Sequence, residues 1–405
     1  MKSIVNRFAK YVSIDTSSDP GCTESPSSKK QFDLLRLLEK ELMEMGLADV
    51  HLSDHGVLYA KIPGGTGKET IGLIAHVDTS PDSPGANVKP MFHGNWDGEP
   101  LSLGDGVLID PAQSREMDRY VGGTIITSDG STLLGADDKA GVAIIMEACQ
   151  WLIDHPDIPR PPVSIAFTPD EEVGRGMDHF DVERFGADFA YTVDGGELTE
   201  ISSETFNAWS ADWKITGNEV HPGSAAGVMV NAVRIAGELI ALIRSEEMPE
   251  NSRGMQGYDY PMAVSGTTES AVVKCILRDF TTEGMIQRRR RMEAIRDCLT
   301  ALFPGAGIEL EMKEQYSNPG EILKRDRRLI EYSLEGFARC GIQAKEGAIR
   351  GGTDGSRLSF MGVPTANLPT GGEQFHSRRE WIAVEGMETA LEGLKNTLII
   401  WGENL

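Results

Sequence analysis

A histidine and an aspartate follow an apolar run in the stretch LIAHVDTSPD. The residues LIA are typical of a strand inside a sheet, whereas His76 and Asp78 are costly to bury without partners. Residues two apart in a strand point to the same face, so Asp78 can accept a hydrogen bond from the outer ring nitrogen of His76. Such a bond would fix the tautomer of the imidazole and strengthen it as a metal ligand.

Further carboxylates and a second histidine come just after predicted strands or in glycine-rich loops. They are Asp137 in LGADDKAG, Glu171 and Glu172 in TPDEEVG, Asp194 in YTVDGG and His376 in TGGEQFHSRRE. Two imidazoles and several carboxylates, without a thiolate, form a ligand set that suits Zn²⁺, Mn²⁺ or Co²⁺. The pattern therefore indicates a site for divalent metal ions.

Three acidic residues in a row follow the predicted strand PVSIAFT. They repel one another unless a cation lies among them, and consecutive residues point in different directions. One of Glu171 and Glu172 can thus bind a metal while the other faces a water molecule. A ligand beside a general base is the arrangement that a metal-dependent hydrolase requires.

Each residue taken alone also has a simpler interpretation. His76 could be a core histidine with satisfied hydrogen bonds, and the two glutamates could be a solvated pair in a loop. Asp137 could cap the helix that follows it, although Asp138 could supply that cap and leave Asp137 for a metal. Asp194 before two glycines could be a turn residue, and the histidine after TGG is equally ambiguous.

Two other motifs favour structural roles. RGGTDG lacks the lysine of a phosphate-binding P-loop and the spacing of a dinucleotide-binding loop. The run RRRR at 288–291 is predicted to be a solvated helix face with salt bridges to surrounding acids.

Alternation of helices with continuously apolar strands predicts an α/β fold with a mostly parallel sheet covered on both faces. Polar residues just past the carboxyl ends of such strands meet at one edge of the sheet. From about Ala211 the pattern changes to a β-α-β-β-α-β order, typical of a small α+β domain. We therefore predict one catalytic domain, residues 1–210 and 318–405, interrupted by an inserted domain, residues 211–317.

The composition argues against several classes of protein. The 405 residues carry a formal net charge of −23, which repels nucleic acids and anionic membranes. No apolar run approaches the roughly 20 residues of a membrane helix. The five cysteines are scattered and lack CxxC spacing, which is typical of reduced thiols and predicts a cytoplasmic protein without cysteine-bound zinc.

The sequence resembles the M20 metallopeptidase family, and within it the tripeptide aminopeptidases. The motifs that carry the resemblance are, in order, HVDTSPD, LLGADDKAG, AFTPDEEVG, YTVDGG, VHPGSAAGVMVNA, RGGTDGSRLSFMG and TGG followed by a histidine. The resemblance implies a zinc-peptidase-like catalytic domain, interrupted by a ferredoxin-like domain that serves as a lid and in dimerisation. It therefore also implies a homodimer.

For the metals, the resemblance implies two divalent ions bridged by Asp137, with zinc expected and manganese or cobalt as alternatives. His76 and Asp194 would complete the coordination of one ion, and Glu172 and His376 would complete that of the other. The resemblance further implies a non-proline cis peptide bond after Asp137.

For the reaction, the resemblance implies release of the N-terminal residue from tripeptides by a water shared between the two metals. Glu171 would be the general base, Asp78 would orient the first histidine, and His221 in VHPGSAAG would stabilise the oxyanion. Arg278 and Arg350 are candidates to hold the terminal carboxylate of the peptide, because a guanidinium matches a carboxylate bidentately. The alternatives are a related dipeptidase, an N-acyl amino acid deacylase or a non-catalytic peptide-binding protein.

Overall fold

The computed structural model describes residues 3–65 and 68–404. Its α-helices are α1 Ser3–Val12, α2 Gln31–Met45, α3 Ala136–Asp154, α4 Val182–Phe185, α5 Ala232–Leu242, α6 Thr282–Leu302, α7 Gly320–Leu323, α8 Arg328–Arg339, α9 Asp354–Phe360 and α10 Val384–Glu403. Its strands are β1 Ala48–Leu52, β2 Leu58–Ile62, β3 Ile71–His76, β4 Met91–Gly94, β5 Leu101–Ser102, β6 Leu108–Ile109, β7 Thr124–Thr127, β8 Val163–Thr168, β9 Phe189–Gly195, β10 Glu200–Thr205, β11 Asn207–Thr216, β12 Tyr258–Gly266, β13 Ser270–Asp279, β14 Gly307–Tyr316, β15 Lys345–Ile349, β16 Thr365–Pro369, β17 Gly372–Glu373 and β18 Trp381–Ala383.

The chain divides into two units. The first comprises Met1–Ser203, Pro319–Gly347 and Thr353–Leu405, and the second comprises Glu204–Asn318 and Ala348–Gly352. The first boundary lies between Ser203 and Glu204, near the end of β10 and shortly before β11 begins at Asn207, whereas the sequence pattern predicts it at 210. The short segment 348–352 also belongs to the second unit, which the sequence pattern did not indicate.

An eight-stranded sheet forms the centre of the first unit, in the order β1-β2-β8-β3-β9-β16-β10-β15. The four central strands β8, β3, β9 and β16 run parallel. Strand β1 pairs antiparallel with β2, β2 with β8, and β10 with β16. The prediction of an α/β fold with a mostly parallel sheet is confirmed, and antiparallel strands flank its parallel centre.

Both faces of the central strands are covered. Every residue of β3 and β8 is buried. Leu73 and Ala75 join the large core that includes residues of α1, α3 and α10, whereas Ile74 joins a second core on the other face with Phe180 and Phe185. Strands buried on both faces read as continuous apolar runs, which explains why their sequence lacks polar alternation.

The carboxyl ends of three neighbouring strands carry the candidate ligands. His76 is the last residue of β3, Asp194 lies near the end of β9, and Glu171 and Glu172 begin a 3₁₀ turn after β8. Helix α3 packs on β3 and β9 and carries Asp137 in its first turn. Because parallel strands end at one edge of the sheet, residues distant in sequence become neighbours there.

The second unit is a four-stranded antiparallel sheet, in the order β12-β13-β11-β14, with α5 and α6 packed against it. The order of its elements along the chain is the predicted β-α-β-β-α-β. Alternate residues of β11 are buried in its core, namely Ala211, Trp213 and Ile215. The period of two follows from a sheet that has helices on one face.

The arginine run of α6 is only partly the solvated face that its sequence predicts. Arg288 and Arg291 contact the fully buried Asp259, each at 2.8 Å. Arg289 instead pairs on the surface with Glu293. Positions three apart lie on the same side of a helix, so the run divides between the interior and the solvent.

Among the described residues, no helix has the length and apolar character that crossing a membrane requires.

Candidate metal centre

One group of possible metal ligands consists of His76, Asp137 and Asp194. His76 is buried, and its Nε2 lies 3.0 Å from Asp137 Oδ1 and 3.6 Å from Asp194 Oδ1. Ligands that bind one zinc ion at about 2.0–2.2 Å lie only a few ångströms apart. The spacing of these three side chains is therefore that of ligands to a single ion.

A second group consists of Asp137, Glu172 and His376. The Nε2 atom of His376 lies 3.0 Å from Asp137 Oδ2 and 3.0 Å from Glu172 Oε2. Asp137 thus belongs to both groups and directs one oxygen to each histidine. This is the geometry that a carboxylate bridging two ions requires.

The backbone around Asp137 leaves this side chain available. The peptide bond between Asp137 and Asp138 is cis, and neither residue has helical backbone angles. Asp138 Oδ1 accepts a hydrogen bond from the backbone N–H of Gly141 at 3.2 Å, as an N-cap does. Of the two interpretations of this sequence, the structure therefore favours Asp138 as the cap of the helix.

Asp78 makes two kinds of contact. The Nδ1 atom of His76 lies 3.0 Å from the backbone oxygen of Asp78 and 3.3 Å from its carboxylate, which directs Nε2 towards the other ligands. The same carboxylate accepts hydrogen bonds from the backbone N–H groups of Glu171 at 3.0 Å and Glu172 at 3.2 Å. Asp78 therefore orients one histidine and also holds the acidic loop, a second contact that its spacing from His76 does not predict.

Glu171 belongs to neither ligand group among the described residues. Burial raises the pKa of its carboxyl well above the usual range; His76 opposes this, and the charges of Asp194 and Asp354 add to it. A carboxylate with a raised pKa is suited to accept a proton near neutral pH. Glu171 therefore has the surroundings of a general base.

The concentration of acids supports the presence of cations. Burial and the nearby charge of Asp137 raise the pKa of Glu172 to about 8 and that of Asp194 to about 6. Burial alone would lower the pKa of His376, but its contacts with Asp137 and Glu172 raise it to about 11. Divalent ions would neutralise these charges, and nitrogen and oxygen donors suit zinc, manganese and cobalt.

One buried oxygen further supports a metal. Glu172 Oε1 is buried and accepts no hydrogen bond in the described part of the chain. An acceptor without a partner in a protein interior costs free energy unless a donor or a cation satisfies it. The residues present therefore fit a two-metal site.

His376 differs from the other ligands because its side chain is 42% exposed. Its backbone has a φ of +61°, a left-handed conformation that non-glycine residues rarely adopt. Ser83 Oγ donates a hydrogen bond to its backbone oxygen at 2.9 Å, and Nδ1 lies 3.6 Å from Asp82 Oδ2. The loop around His76 and Asp78 thus also fixes the second histidine.

Three predicted residues lie in the second unit and are not brought into these groups. His221 is exposed, and its Nδ1 accepts a hydrogen bond from the Gly223 N–H at 3.1 Å. Arg278 lies 5.4 Å above the ring of Tyr316 and donates from Nη1 to the backbone oxygen of Leu277.

Arg350 makes more contacts than Arg278. Its Nη1 donates to the backbone oxygens of Gly254 and Gln256, and its Nη2 donates to Ser252 Oγ. Its guanidinium also lies 5.1 Å from the centre of the Phe206 ring. These contacts hold Arg350 within the second unit.

Asp170, the first acid of the DEE run, is directed away from the ligand groups. It is fully buried with a φ of +58°, and it accepts hydrogen bonds from the Ser27 backbone N–H and from Gln31 Nε2, both at 2.7 Å. Hydrogen-bond donors, rather than a cation, therefore satisfy the carboxylate of Asp170. Its partners lie about 140 residues earlier in the chain, and no local signal indicates them.

Asp354, from the RGGTDG motif, is a further buried acid that the sequence pattern did not assign to the site. It accepts a hydrogen bond from Thr168 Oγ1 at 2.7 Å, and burial raises its pKa to about 7. A Cβ atom on Gly176 would lie 2.2 Å from its carboxylate, so only glycine fits there. Asp354 therefore borders the loop that carries Glu171.

A family model described as Peptidase family M20/M25/M40 matches residues 129–399, more than half of the chain. The chain belongs to peptidase family M20. The resemblance that the motifs predict is confirmed.

Two relatives that align over their full length share one name. "Peptidase T" from Clostridium perfringens (strain 13 / Type A) is 44% identical over 405 residues, and "Peptidase T" from Caldanaerobacter subterraneus subsp. tengcongensis is 44% identical over 407 residues. Each alignment covers 100% of both chains.

Solved structures show the M20 fold at lower identity. A tripeptidase from Staphylococcus aureus has a TM-score of 0.79 at 20% identity, covering 99% of this chain and 98% of that one. Aminopeptidase PepT from Bacillus cereus has a TM-score of 0.75 at 23% identity, covering 98% of both chains. A dinuclear metal-binding M20 peptidase from Bacillus subtilis has a TM-score of 0.68 at 15% identity, covering 99% and 98%. These likenesses show the fold alone.

Replacing His376 with alanine in this M20 peptidase should remove one metal ion and leave the other. The variant leaves two carboxylates in the second group, whereas His76, Asp137 and Asp194 remain in the first. We expect the zinc content per chain to fall from about two to about one, since three protein ligands are the usual minimum for such a site. Elemental analysis after dialysis against a zinc buffer measures this.

His51→Ala is the matched control, because His51 is exposed on β1 and belongs to neither group. It should retain the zinc content of the unmodified protein. Equal zinc in the unmodified protein and in His376→Ala would contradict the assignment of the second group.

Proposed function

We propose that this chain is a metal-dependent aminopeptidase that releases the N-terminal residue of tripeptides. The observation that carries the proposal is the carboxylate of Asp137, which belongs to both groups of possible metal ligands. Glu171 adjoins Glu172 in the sequence and belongs to neither group among the described residues. The full-length relatives named peptidase T support the substrate class.

The alternative activities have weaker support. A di-peptidase from Saccharomyces cerevisiae and an aminoacylhistidine dipeptidase from Vibrio alginolyticus share the fold, but at 12% and 14% identity. A non-catalytic peptide-binding protein would have no use for a buried acid such as Glu171 beside a complete ligand set. We therefore favour the tripeptide aminopeptidase.

The two ligand groups would hold two divalent ions, which we propose to be zinc with manganese or cobalt as alternatives, and bound ions would supply the Lewis acidity that makes a water molecule easier to deprotonate. Glu171 would accept the proton of that water and deliver it to the leaving amine. Asp78 holds the backbone N–H of Glu171 and thereby sets where its carboxylate lies. Asp78 also keeps His76 in the tautomer that directs Nε2 to the other ligands.

Residues of the second unit would act on the substrate. His221 is our candidate to stabilise the oxyanion, because its exposed ring is available to a ligand. Either arginine could bind the terminal carboxylate, and Arg278 is the stronger candidate. The contacts of the described residues engage Nη1 of Arg278, whereas they engage both Nη1 and Nη2 of Arg350.

We further propose that the protein acts in the cytoplasm and as a homodimer. All five cysteines are free, and free thiols persist in reducing compartments. The edge strand β12 exposes Tyr260, Met262 and Val264, a surface that a second copy could cover.

A series of three substrates tests the function. Ala-Ala-Ala with an isotopically labelled first residue should release labelled alanine, and chelation should abolish the reaction until Zn²⁺, Mn²⁺ or Co²⁺ is restored. N-acetylation should abolish cleavage. Amidation of the carboxyl end should lower kcat/KM at least about 10-fold, because a hydrogen bond to a charged group contributes about 1.5–3 kcal/mol. Release of the unlabelled C-terminal residue would reject the aminopeptidase, and an undiminished kcat/KM for the amide would reject the carboxylate anchor.

Replacing Glu171 with glutamine should lower kcat by at least about 10²-fold, the usual contribution of general-base catalysis. Zinc content should stay the same, since Glu171 belongs to neither ligand group among the described residues. Steady-state kinetics and elemental analysis of the same preparation provide the two measurements. Glu183→Gln, an exposed glutamate of α4, should leave both unchanged, and near-normal turnover of Glu171→Gln would refute the assignment.

Replacing His221 with alanine should lower kcat by about 10²-fold with unchanged zinc content, because removal of an oxyanion donor has an effect of this size. Mixing this variant with Glu171→Gln then tests the dimer. If His221 acts on the site of a partner subunit, mixed dimers contain one site with both residues intact and regain activity. Unaltered kcat of His221→Ala would end the assignment, and no recovery on mixing would place His221 in the same chain as the site it serves.

A further inference from the structure

Glu380 is a buried acid that neither the ligand groups nor the proposed reaction uses. It is only 1% exposed, and it follows His376 by four residues in the sequence EQFHSRRE. Its Oε2 accepts hydrogen bonds from the backbone N–H groups of Leu134 and Gly135, both at 2.8 Å. Its Oε1 accepts a third from the backbone N–H of Asp137 at 2.9 Å.

We infer that Glu380 is a positioning residue that fixes the bridging carboxylate of Asp137 through the backbone of residues 134–137. This inference rests on the proposed function, because it gives Glu380 a role towards the two metals. Glu380 itself binds no metal in this arrangement, because both of its oxygens accept backbone N–H groups.

The loop that Glu380 holds has little other regular support. Gly135 has a φ of +81°, and Asp137 lies outside the helical region at φ −83° and ψ 104°. The three N–H groups therefore lack the partners that a helix or strand would provide. An ionised acceptor forms stronger hydrogen bonds than a neutral one, and it satisfies all three donors in the interior.

Position matters more for Asp137 than for any other ligand. Its two oxygens must each lie about 3.0 Å from a different histidine. A small shift of its backbone would lengthen one contact or both, and metal sites tolerate errors of only a few tenths of an ångström. Fixing its own N–H is the most direct way to prevent such a shift.

Glu380 also connects this loop with the segment of the second histidine. Its backbone N–H donates to the oxygen of Ser377 at 3.2 Å, and Ser377 Oγ donates to the oxygen of Gln374 at 2.7 Å. The short turn that follows His376 is thus tied to the loop that carries Asp137.

Zinc affinity of the metal-free protein tests the inference without any activity measurement. Glu380→Gln keeps the size of the side chain but replaces one acceptor oxygen by an NH₂ group. In either orientation the amide directs a donor at one or two of the three N–H groups. We expect the apparent Kd for Zn²⁺, measured by competition with a chromophoric chelator, to rise about 10–100-fold, as for other residues that support ligands.

Glu116→Gln is the matched control for a purely structural role. Glu116 is likewise buried, and it accepts hydrogen bonds from the Leu198 N–H at 2.9 Å and from Thr199 Oγ1 at 2.6 Å. It should lower the thermal midpoint of the metal-free protein to a similar extent as Glu380→Gln and leave the Kd for Zn²⁺ unchanged. Equal weakening of zinc binding in both variants would overturn the inference.

Two further measurements keep the test decisive. Glu380→Asp retains a carboxylate but withdraws it by one methylene, so it should fold and bind Zn²⁺ about 10-fold more weakly. Excess zinc should restore turnover of either variant towards normal, which a general loss of structure would not permit. A Kd for Zn²⁺ within twofold of that of the unmodified protein, in Glu380→Asp and in any Glu380→Gln protein that folds, would overturn the inference.

The same experiment separates this inference from the proposed function. If zinc affinity falls as expected while the unmodified protein cleaves no tripeptide, the proposed function fails and the role of Glu380 stands.

Discussion

The two oxygens of Asp137 serve different partners, and most features of the site follow from this division. Its Oδ1 lies 3.0 Å from Nε2 of His76 and its Oδ2 lies 3.0 Å from Nε2 of His376, so any movement of the carboxylate alters both contacts. The residue must therefore be fixed in both position and orientation. The non-helical backbone at the start of α3 directs the side chain, and hydrogen bonds to that backbone hold it there.

The parallel centre of the sheet gathers the remaining groups. Strands β8, β3 and β9 are adjacent, so their carboxyl ends deliver Glu172, His76 and Asp194 to one place. Burial and, after it, the nearby charge of Asp137 raise the pKa of Glu172 to about 8, so like charges gathered in this poorly solvated site repel one another. The strands that carry these groups are buried on both faces, and this extensive apolar burial provides a rigid frame that withstands the repulsion.

Much of the fold could be predicted from the sequence, because it is encoded in local patterns. Apolar runs predict the parallel strands, and the polar residues after those runs are the ones that converge. The spacing of His76 and Asp78 predicts their contact, and the contact forms although β3 ends at His76 and Asp78 lies beyond it. By contrast, the sequence did not predict the contacts of Asp170 and Glu380, or that the segment 348–352 belongs to the second unit. Their partners lie far away in sequence, as for Glu380 and Asp137, which are separated by 243 positions.

Five acids of this site fall into two classes that differ in what they accept. Asp137, Asp194 and Glu172 are placed to accept cations, whereas Asp78 and Glu380 accept backbone N–H groups of the loops that carry the ligands. A carboxylate is the natural choice for both tasks, because it is an ionised acceptor with two oxygens in fixed geometry. The residue type alone therefore does not tell a metal ligand from an acid that holds a loop. Holding a loop by its backbone also makes its position independent of the neighbouring side chains, so the ligands can stay in place while the residues around them vary.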